Sequence, residues 1–195
     1  MLIRPWRDGD RGLVVAAQEY LSPRTIDRRF LVGSGGRLPS SYLAHIAAGP
    51  RPEWDAQVAV DGGVLCGWAE YGRIPGGGPA ADLAVLVADP WQRTGLASAL
   101  IRALVQRMIA AGVTTIHADV AGSNAPSRGL VRALAGSDPG PSYADGLLHY
   151  AFDLAAVPLE SLVHRVREAP AVGAGHSGRK HAARRSAPYP GRDLP

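Results

Sequence analysis

Several residue types that mark particular protein classes are scarce in this chain of 195 residues. A single cysteine, Cys66, cannot form an internal disulfide, and one thiol among six scattered histidines gives no recognisable metal-ligand spacing. No run of about 18 uninterrupted apolar residues could cross a bilayer, and the N-terminus lacks the apolar segment of a secretory signal. These absences argue against a disulfide scaffold, a metal site and a membrane protein, and they predict a cytoplasmic location.

Lysine is also nearly absent, since Lys180 stands against 20 arginines, and the net charge of +4 is unevenly placed. From Met1 to Pro170 the chain has 16 arginines and 16 acidic residues, so the excess lies in residues 171–195. A basic chain can suggest nucleic-acid binding, but a neutral globular part makes that unlikely here. Four tail residues leave weak, salt-sensitive binding as an alternative: Arg179, Lys180, Arg184 and Arg185.

The hydrophobic residues, 46% of the chain, suffice for one core followed by a tail. We predict one domain over residues 1–156, an extension over 157–170 and a disordered basic tail over 171–195, which has too few branched apolar residues to fold. A homodimer is left open.

Apolar periodicity, caps and glycine turns predict a mixed α+β fold, in which strands in hairpin order are flanked by helices. The predicted strands are Leu2–Arg4, Trp54–Val60, Val64–Arg73, Ala81–Val87, Val113–Val120 and Leu147–Leu154. The predicted helices are Asp8–Leu21 with Asp8 or Asp10 as its cap, Ser22–Leu31, a short helix from Ser40 or Ser41 to Ala48, Thr94–Ala111 and Asn124–Ala135.

The turn between the strand Ala81–Val87 and the long helix that follows is the most informative segment. It reads Trp91-Gln92-Arg93-Thr94-Gly95-Leu96-Ala97-Ser98. Small residues let a ligand approach the backbone, and the first amides of a helix lack internal partners, so this turn suits a phosphate. Strand, glycine turn and helix also occur in many α/β proteins without a ligand. The turn is neither a Walker P-loop nor a dinucleotide-binding turn.

The order Gln-x-x-Gly-x-Ala after an apolar strand and Asp89-Pro90 resembles the acetyl-coenzyme-A signature of the GNAT superfamily of N-acetyltransferases. The segment Asn124-Ala125-Pro126-Ser127-Arg128-Gly129-Leu130 resembles a second family motif on the next helix. The resemblance extends from about Ile3 to Leu154. It implies a GNAT-like fold, with a mostly antiparallel twisted sheet, one splayed strand pair and flanking helices.

The resemblance also implies that acetyl-CoA is the acetyl donor and that particular residues bind it. Pantetheine is expected to pair with the backbone of Val85, Leu86 and Val87. The pyrophosphate is expected at the turn formed by Gln92, Arg93, Thr94, Gly95, Leu96, Ala97 and Ser98. Asn124 is expected near the pantetheine arm, although a simple helix cap would also explain an asparagine there.

Acetyl transfer to an amine needs a group that accepts a proton from the nitrogen. Asp82 begins the strand expected to carry the coenzyme, where Pat-type protein acetyltransferases place a glutamate, and Asp119 lies late in the next strand. Either is a candidate base, or a solvated aspartate at a strand end, and Glu70 is a third candidate. We expect His117, beside Asp119 on an alternating strand, to point to the opposite face of the sheet.

The family's usual acid is a tyrosine at the position of Val131, so this chain departs from the pattern. Tyr143 or Tyr150 could replace it, or solvent could protonate the thiolate. The segment from Leu21-Ser22-Pro23 to Arg29-Phe30 also resembles Pat-type enzymes, but a capped amphipathic helix with solvated or paired arginines explains it without that resemblance. Two functions follow. One is acetyl-CoA-dependent acetylation of a primary amine, on a protein lysine or a small molecule. The other is a catalytically weak coenzyme-A-binding regulatory domain.

Overall fold

The computed structural model describes residues 1–31, 35–136 and 139–160. The predicted tail and most of the predicted extension lie outside these residues, so the domain boundaries stay predictions. Within the described residues, no helix is long and apolar enough to cross a membrane.

One seven-stranded sheet with the order β1-β2-β3-β4-β5-β7-β6 forms the centre of the molecule. The strands are β1 (Leu2–Pro5), β2 (Trp54–Asp61), β3 (Val64–Arg73), β4 (Ala80–Val87), β5 (Thr115–Ala121), β6 (Ser142–Ala144) and β7 (Leu147–Asp153). The helices are α1 (Asp10–Ala16), α2 (Pro23–Phe30), α3 (Ser40–Ala47), α4 (Leu96–Ala110) and α5 (Ala125–Ala135), with short 3₁₀ turns at Ala17–Tyr20, Asp89–Trp91 and Leu154–Ala156. The predicted mixed fold with a mostly antiparallel sheet is confirmed, since among the strands of the described residues only β4 and β5 pair in parallel.

The hairpin predicted between β2 and β3 is present. Asp61 pairs with Val64, which leaves Gly62 and Gly63 as a two-residue loop. Both glycines have positive φ, at 55° and 85°. Positive φ at both positions is required in a two-residue hairpin loop of type I′, which explains the pair of glycines.

The helix starts show which cap predictions were correct. Ser22 caps α2, with its Oγ accepting the Thr25 amide at 3.3 Å, as its type and the following proline predict. The first helix starts at Asp10, two residues later than predicted, and after Ala16 it continues as a 3₁₀ helix to Tyr20, close to the predicted end at Leu21. Neither aspartate caps it. Asp10 accepts two hydrogen bonds from the Arg4 guanidinium, which ties α1 to β1.

Strand register and side-chain contacts place α2, α3 and α4 on the two faces of the sheet. Paired residues and residues two apart share a face, so Glu70 of β3 lies on the same face as Ala84 and Asp82 of β4. Arg29 of α2 and Tyr42 of α3 both contact Glu70, which places α2 and α3 on this face, called the α2 face. The opposite face, called the α4 face, is covered by α4, whose Leu100, Leu104 and Met108 are fully buried.

Candidate active site

A cleft opens where β4 and β5 separate. The two strands pair only from Ala80 with Thr115 to Asp82 with His117, and beyond these residues they diverge. The space within it that water can occupy is about 70 Å³, so the cleft is narrow compared with a typical small-molecule site. Its wall comes from both strands and from α2, α4 and α5, and includes Leu83, Ala84, Val85, Ala118, Asp119, Val120, Asn124 and Val131.

Free backbone amides gather at the turn that joins β4 to α4. Within the described parts of the chain, none of the amides from Arg93 to Ser98 donates to a carbonyl, and Ala99 is the first to do so, to Gly95 at 3.2 Å. Six consecutive donors at the N-terminus of a 15-residue helix favour an anion, and the helix dipole adds to the attraction. The turn therefore has the chemistry predicted for a phosphate site.

The backbone of this turn is held in a left-handed conformation at two positions. Gly95 is the N-cap residue of α4 with φ at 88°, and Arg93 has φ at 63°. Glycine adopts such angles without a steric penalty, whereas a residue with a Cβ is strained there. Thr94 stabilises the turn from inside, because its buried Oγ1 donates to the Trp91 carbonyl at 2.6 Å.

Gln92 is the first residue of the acetyl-CoA signature, and its side-chain amide is hydrogen-bonded to other residues of the protein. Nε2 lies 3.1 Å from the carbonyl of Val87, 2.8 Å from Oδ1 of Asp89 and 3.1 Å from Oγ1 of Thr25. The Asp89 carboxylate also accepts from the Ser22 amide at 2.8 Å. These bonds fix the turn against the start of α2, so Gln92 and Asp89 shape the site through the backbone.

Alternate residues of β4 turn their backbone amide and carbonyl groups toward the cleft. The Ala88 amide donates to the Cys66 carbonyl of β3 at 2.9 Å. Because backbone groups of alternate residues point to opposite neighbours, Leu86 also faces β3, whereas Val85 and Val87 face the cleft. Of the three residues predicted to pair with pantetheine, Val85 therefore has both its amide and its carbonyl available to a ligand. The Val87 carbonyl already accepts a hydrogen bond from Gln92. Leu86 adds only a buried side chain.

Asn124 is both a cap and a wall of the cleft. Its Oδ1 accepts from the Ser127 amide at 3.4 Å at the start of α5, and the residue is buried. It also lines the cleft. The two roles expected of it are therefore compatible, because the cap uses the side-chain oxygen and leaves the side-chain NH₂ group available to a ligand.

Asp82, His117 and Asp119 lie on one face of the sheet. Asp82 pairs with His117, and Asp119 follows His117 by two residues, which places all three on the α2 face. The prediction that His117 and Asp119 point to opposite faces was therefore wrong. An alternating strand puts residues one apart on opposite faces, and these two are two apart.

Electrostatics distinguish Asp82 from an ordinary exposed aspartate. Partial burial raises the pKa of its carboxyl, the nearby Asp119 carboxylate raises it further, and His117 opposes the rise. A raised pKa makes a carboxylate a better proton acceptor near neutral pH, so Asp82 has the character of a general base. It stands at the last position where β4 pairs with β5, and its side chain is exposed. Asp82 is not among the residues that line the cleft, but the next residue, Leu83, is.

His149 is a residue that the sequence reasoning missed. On β7 it pairs with Asp119, and its Nδ1 lies 2.7 Å from Oδ1 of that carboxylate. The hydrogen bond to Asp119 raises the pKa of the imidazole, with smaller contributions from Asp145 and the Ala144 carbonyl. A histidine in a seven-residue strand gives no local signal, because only the pairing of β5 with β7 brings the two together.

Glu70 does not have the freedom of a base. It is 5% exposed, and its carboxylate accepts from the Arg29 guanidinium, from Tyr42 Oη at 3.0 Å and from Trp54 Nε1 at 3.1 Å. The Trp68 indole donates in turn to Tyr42 Oη at 2.7 Å. A buried carboxylate occupied by three donors is not free to contact a substrate amine, so Glu70 anchors α2 and α3 to the sheet.

The tyrosines considered as proton donors lie away from the cleft wall. Val131 lines the cleft and has no proton to give. Tyr150 is 2% exposed and packs against Val131 and Val120, and Tyr143 is 69% exposed on β6. Of the two substitutes proposed, neither belongs to the residues that line the cleft.

Comparison with known proteins agrees with this geometry. A family model described as the acetyltransferase (GNAT) family matches residues 24–136, which is more than half of the chain. No protein with a curated description matches the sequence significantly.

Solved structures provide the rest of the comparison. The GNAT domain of S. lividans PAT is 25% identical, with a TM-score of 0.70 over 77% of this chain and 89% of that one. The Salmonella typhimurium protein yncA, solved with its cofactor acetyl-CoA, is 19% identical, with a TM-score of 0.60 over 79% and 94%. The ribosomal-protein-alanine N-acetyltransferase of Brucella melitensis is 18% identical, with a TM-score of 0.58 over 78% and 99%. The last two establish likeness of fold alone.

Proposed function

Because the chain belongs to the GNAT family of acetyltransferases, its acetyl donor is acetyl-CoA, and we propose that it acetylates a primary amine on a protein lysine or a small molecule. The observation that carries this proposal is the cleft itself. It joins a turn of free amides to a strand edge with unpaired backbone groups, and it ends beside a carboxyl of raised pKa.

The donor binds mainly to backbone groups in this proposal. The pyrophosphate accepts from the amides of Arg93 to Ser98, with Arg93 adding a charge-assisted contact. The pantetheine arm pairs with Val85 on the open edge of β4, and the Asn124 amide donates to it from the opposite wall. The thioester then lies where β4 and β5 diverge, close to Asp82.

Asp82 is the general base in this proposal. The amine enters from the α2 face, gives a proton to Asp82 directly or through one water, and attacks the thioester carbon with its lone pair. The C–N bond forms, the C–S bond breaks, and the thiolate leaves with the bonding electrons. With valine at position 131, a proton from Asp82 or from solvent neutralises the thiolate, whose free pKa of about 8.5 makes a dedicated acid less necessary.

A protein lysine is favoured as the acceptor by two likenesses. The Leu21-Ser22-Pro23 to Arg29-Phe30 segment resembles Pat-type protein lysine acetyltransferases, and α2 formed by this segment contributes Arg28 and Arg29 to the cleft wall. Of the three solved structures described above, the GNAT domain of S. lividans PAT has the highest sequence identity to this chain, 25%.

Release of free CoA tests the proposal. The chain is incubated with acetyl-CoA and a panel of lysine peptides and small primary amines, and free thiol is followed over time. We expect at least one amine to speed thiol release above the buffer rate, and Asp82→Asn to suppress that effect. Tight acetyl-CoA binding with no amine-dependent release would favour the alternative, a regulatory domain that binds coenzyme A.

A further inference from the structure

Arg28 on α2 is a charged side chain in the wall of the cleft that has no partner within the described part of the chain. It lines the cleft together with Ala84, Val85 and Asp119, and it is half-buried. Its guanidinium makes no hydrogen bond and no ion pair with the described residues. A half-buried cation costs free energy unless water or an anion contacts it, so Arg28 is available to a ligand.

The other charged side chains that line the cleft are already paired. The guanidinium of Arg29 donates to the Glu70 carboxylate. Asp119 is hydrogen-bonded to His149, with 2.7 Å between Oδ1 and Nδ1. Of the described charged residues in the wall, Arg28 therefore carries the uncompensated charge, and the wall attracts an anion at that point.

Contacts on two sides of α2 set the direction in which Arg28 points. Ile26 is fully buried in the core. The Thr25 hydroxyl is hydrogen-bonded to Asp89 and Gln92 in the turn before α4. Residues three apart lie on the same side of a helix, so Arg28 follows Thr25 along the side that faces this turn and the cleft. The packing of α2 thus fixes the place of Arg28 in the wall.

The phosphates of the donor are not the anion that Arg28 is placed to bind. In the proposed function they accept from the amides of Arg93 to Ser98, and those residues are not among the described residues that line the cleft around Arg28. Arg28 shares the wall with Asp119 and with Val85, on the proposed path of the pantetheine arm. Pantetheine displaces water from this narrow cleft, and a lower local dielectric strengthens the attraction between a guanidinium and an anion.

Resting on the amine acetylation proposed above, we propose that Arg28 binds a carboxylate of the acceptor, so that the preferred substrate is a primary amine that also carries a carboxylate. The planar guanidinium matches a carboxylate with two parallel hydrogen bonds, which orient the acceptor as well as hold it. Such a carboxylate belongs either to an acidic residue next to a lysine in a peptide or to a small amino acid. Arg28 takes no part in bond making and acts on binding and specificity.

Pairs of acceptors that differ only in charge test the proposal. One pair is a lysine peptide with glutamate or glutamine next to the lysine, and the other is γ-aminobutyrate and its amide. At saturating acetyl-CoA, we expect the wild-type chain to have a KM about tenfold lower for the carboxylate member of at least one pair. The pair that shows the difference identifies the source of the carboxylate, a peptide or a small molecule.

Substitutions on α2 isolate the contribution of Arg28. Arg28→Gln should raise the KM of the carboxylate member about tenfold and leave both the uncharged member and the KM for acetyl-CoA unchanged. A normal rate with the uncharged member shows that this variant is folded. Arg28→Lys should keep only part of the preference, because it keeps the charge and loses the paired hydrogen bonds. Arg24→Gln is the matched control, since Arg24 lies one turn earlier on α2, is exposed and is not among the lining residues.

The outcomes separate this inference from the proposed function. Equal KM values within both pairs, a preference that survives Arg28→Gln, or a full preference in Arg28→Lys would overturn the role of Arg28, while release of CoA upholds amine acetylation. A higher KM for acetyl-CoA with an unchanged preference would place Arg28 in the donor site and overturn it as well. A wild-type chain that releases no CoA with any amine overturns the proposed function itself, and this inference with it.

Discussion

The two halves of the cleft are built from different parts of the polypeptide. The donor half uses backbone: the amides of Arg93 to Ser98 and the open edge of β4 at Val85. The acceptor half, in our proposal, uses side chains: the candidate bases Asp82 and Asp119, the latter paired with His149 of the neighbouring strand. A backbone site depends on conformation and tolerates many side chains, whereas the other half depends on exact side-chain chemistry. Substitutions should therefore affect the two halves in different measurements.

The largest effect is expected for Gly95→Val, which tests whether the donor half depends on conformation. A β-branched residue at φ of 88° is strained by about 1 to 3 kcal/mol, and its side chain blocks access to the amides. Acetyl-CoA binding measured by calorimetry should be abolished.

Gly112→Val is the matched control for that substitution. Gly112 lies just beyond the other end of α4 with φ at 75°, and a Cβ there has no heavy atom within 4 Å. This variant should carry similar strain and keep its affinity for acetyl-CoA. Equal loss of binding in both variants would mean that α4 has been destabilised as a whole.

The next largest effect is expected for Asp82→Asn, which removes a base and keeps the shape. The turnover number should fall by about a hundredfold while the affinity for acetyl-CoA is unchanged. In the wild type, kcat/KM should fall as the pH drops through the raised pKa of Asp82, because a protonated carboxyl cannot accept a proton. An unchanged acid limb in the Asn variant would transfer the role of base to Asp119.

Glu70→Gln should affect stability more than the pH dependence of the reaction. It leaves the Arg29 guanidinium without its anionic partner in a buried network, at a cost of about 2 to 3 kcal/mol in the free energy of unfolding. Urea denaturation measures this cost. Asp61→Asn is the control, because the solvent-exposed ion pair between Asp61 and the N-terminus should contribute little to the free energy of unfolding. A shifted pH profile with normal stability would make Glu70 a base after all.

The smallest effect is expected for Thr25→Val, which removes the hydroxyl that hydrogen-bonds α2 to the turn before α4. The hydroxyl donates to Asp89 and accepts from Gln92, so its loss should cost about 1 kcal/mol. The KM for acetyl-CoA should rise a few fold, with kcat unchanged. A lower kcat at normal KM would mean that Thr25 acts on the chemical step.

Local signals in the sequence predicted the backbone features from which the proposed donor half is built. Ser22 before Pro23 marked the start of α2, the glycine pair marked the hairpin, and the small residues at Gly95 and Ala97 marked the turn. Each of these features is decided by residues within one turn or one strand. The edge strand β6 was missed, because three exposed residues carry no apolar pattern.

The acceptor half could be predicted only in part. Asp82 and Asp119 stood out by their places in strands, but the pairing of Asp119 with His149 depends on β7 lying next to β5. The burial of Glu70 depends on Arg29, which is 41 residues away in the chain. Strand order and helix docking are long-range properties that residue spacing does not encode. His117 and Asp119 are two residues apart in β5, so they share a face of the sheet, contrary to the prediction.

Amide hydrogen exchange, followed residue by residue with and without acetyl-CoA, tests the central claim most directly. We predict that acetyl-CoA slows exchange at the amides of Arg93 to Ser98 and at Val85, while the Leu86 amide, which already faces β3, is little changed. Protection confined to other segments, with the turn still exchanging freely in the presence of saturating acetyl-CoA, would contradict a donor site built from the backbone.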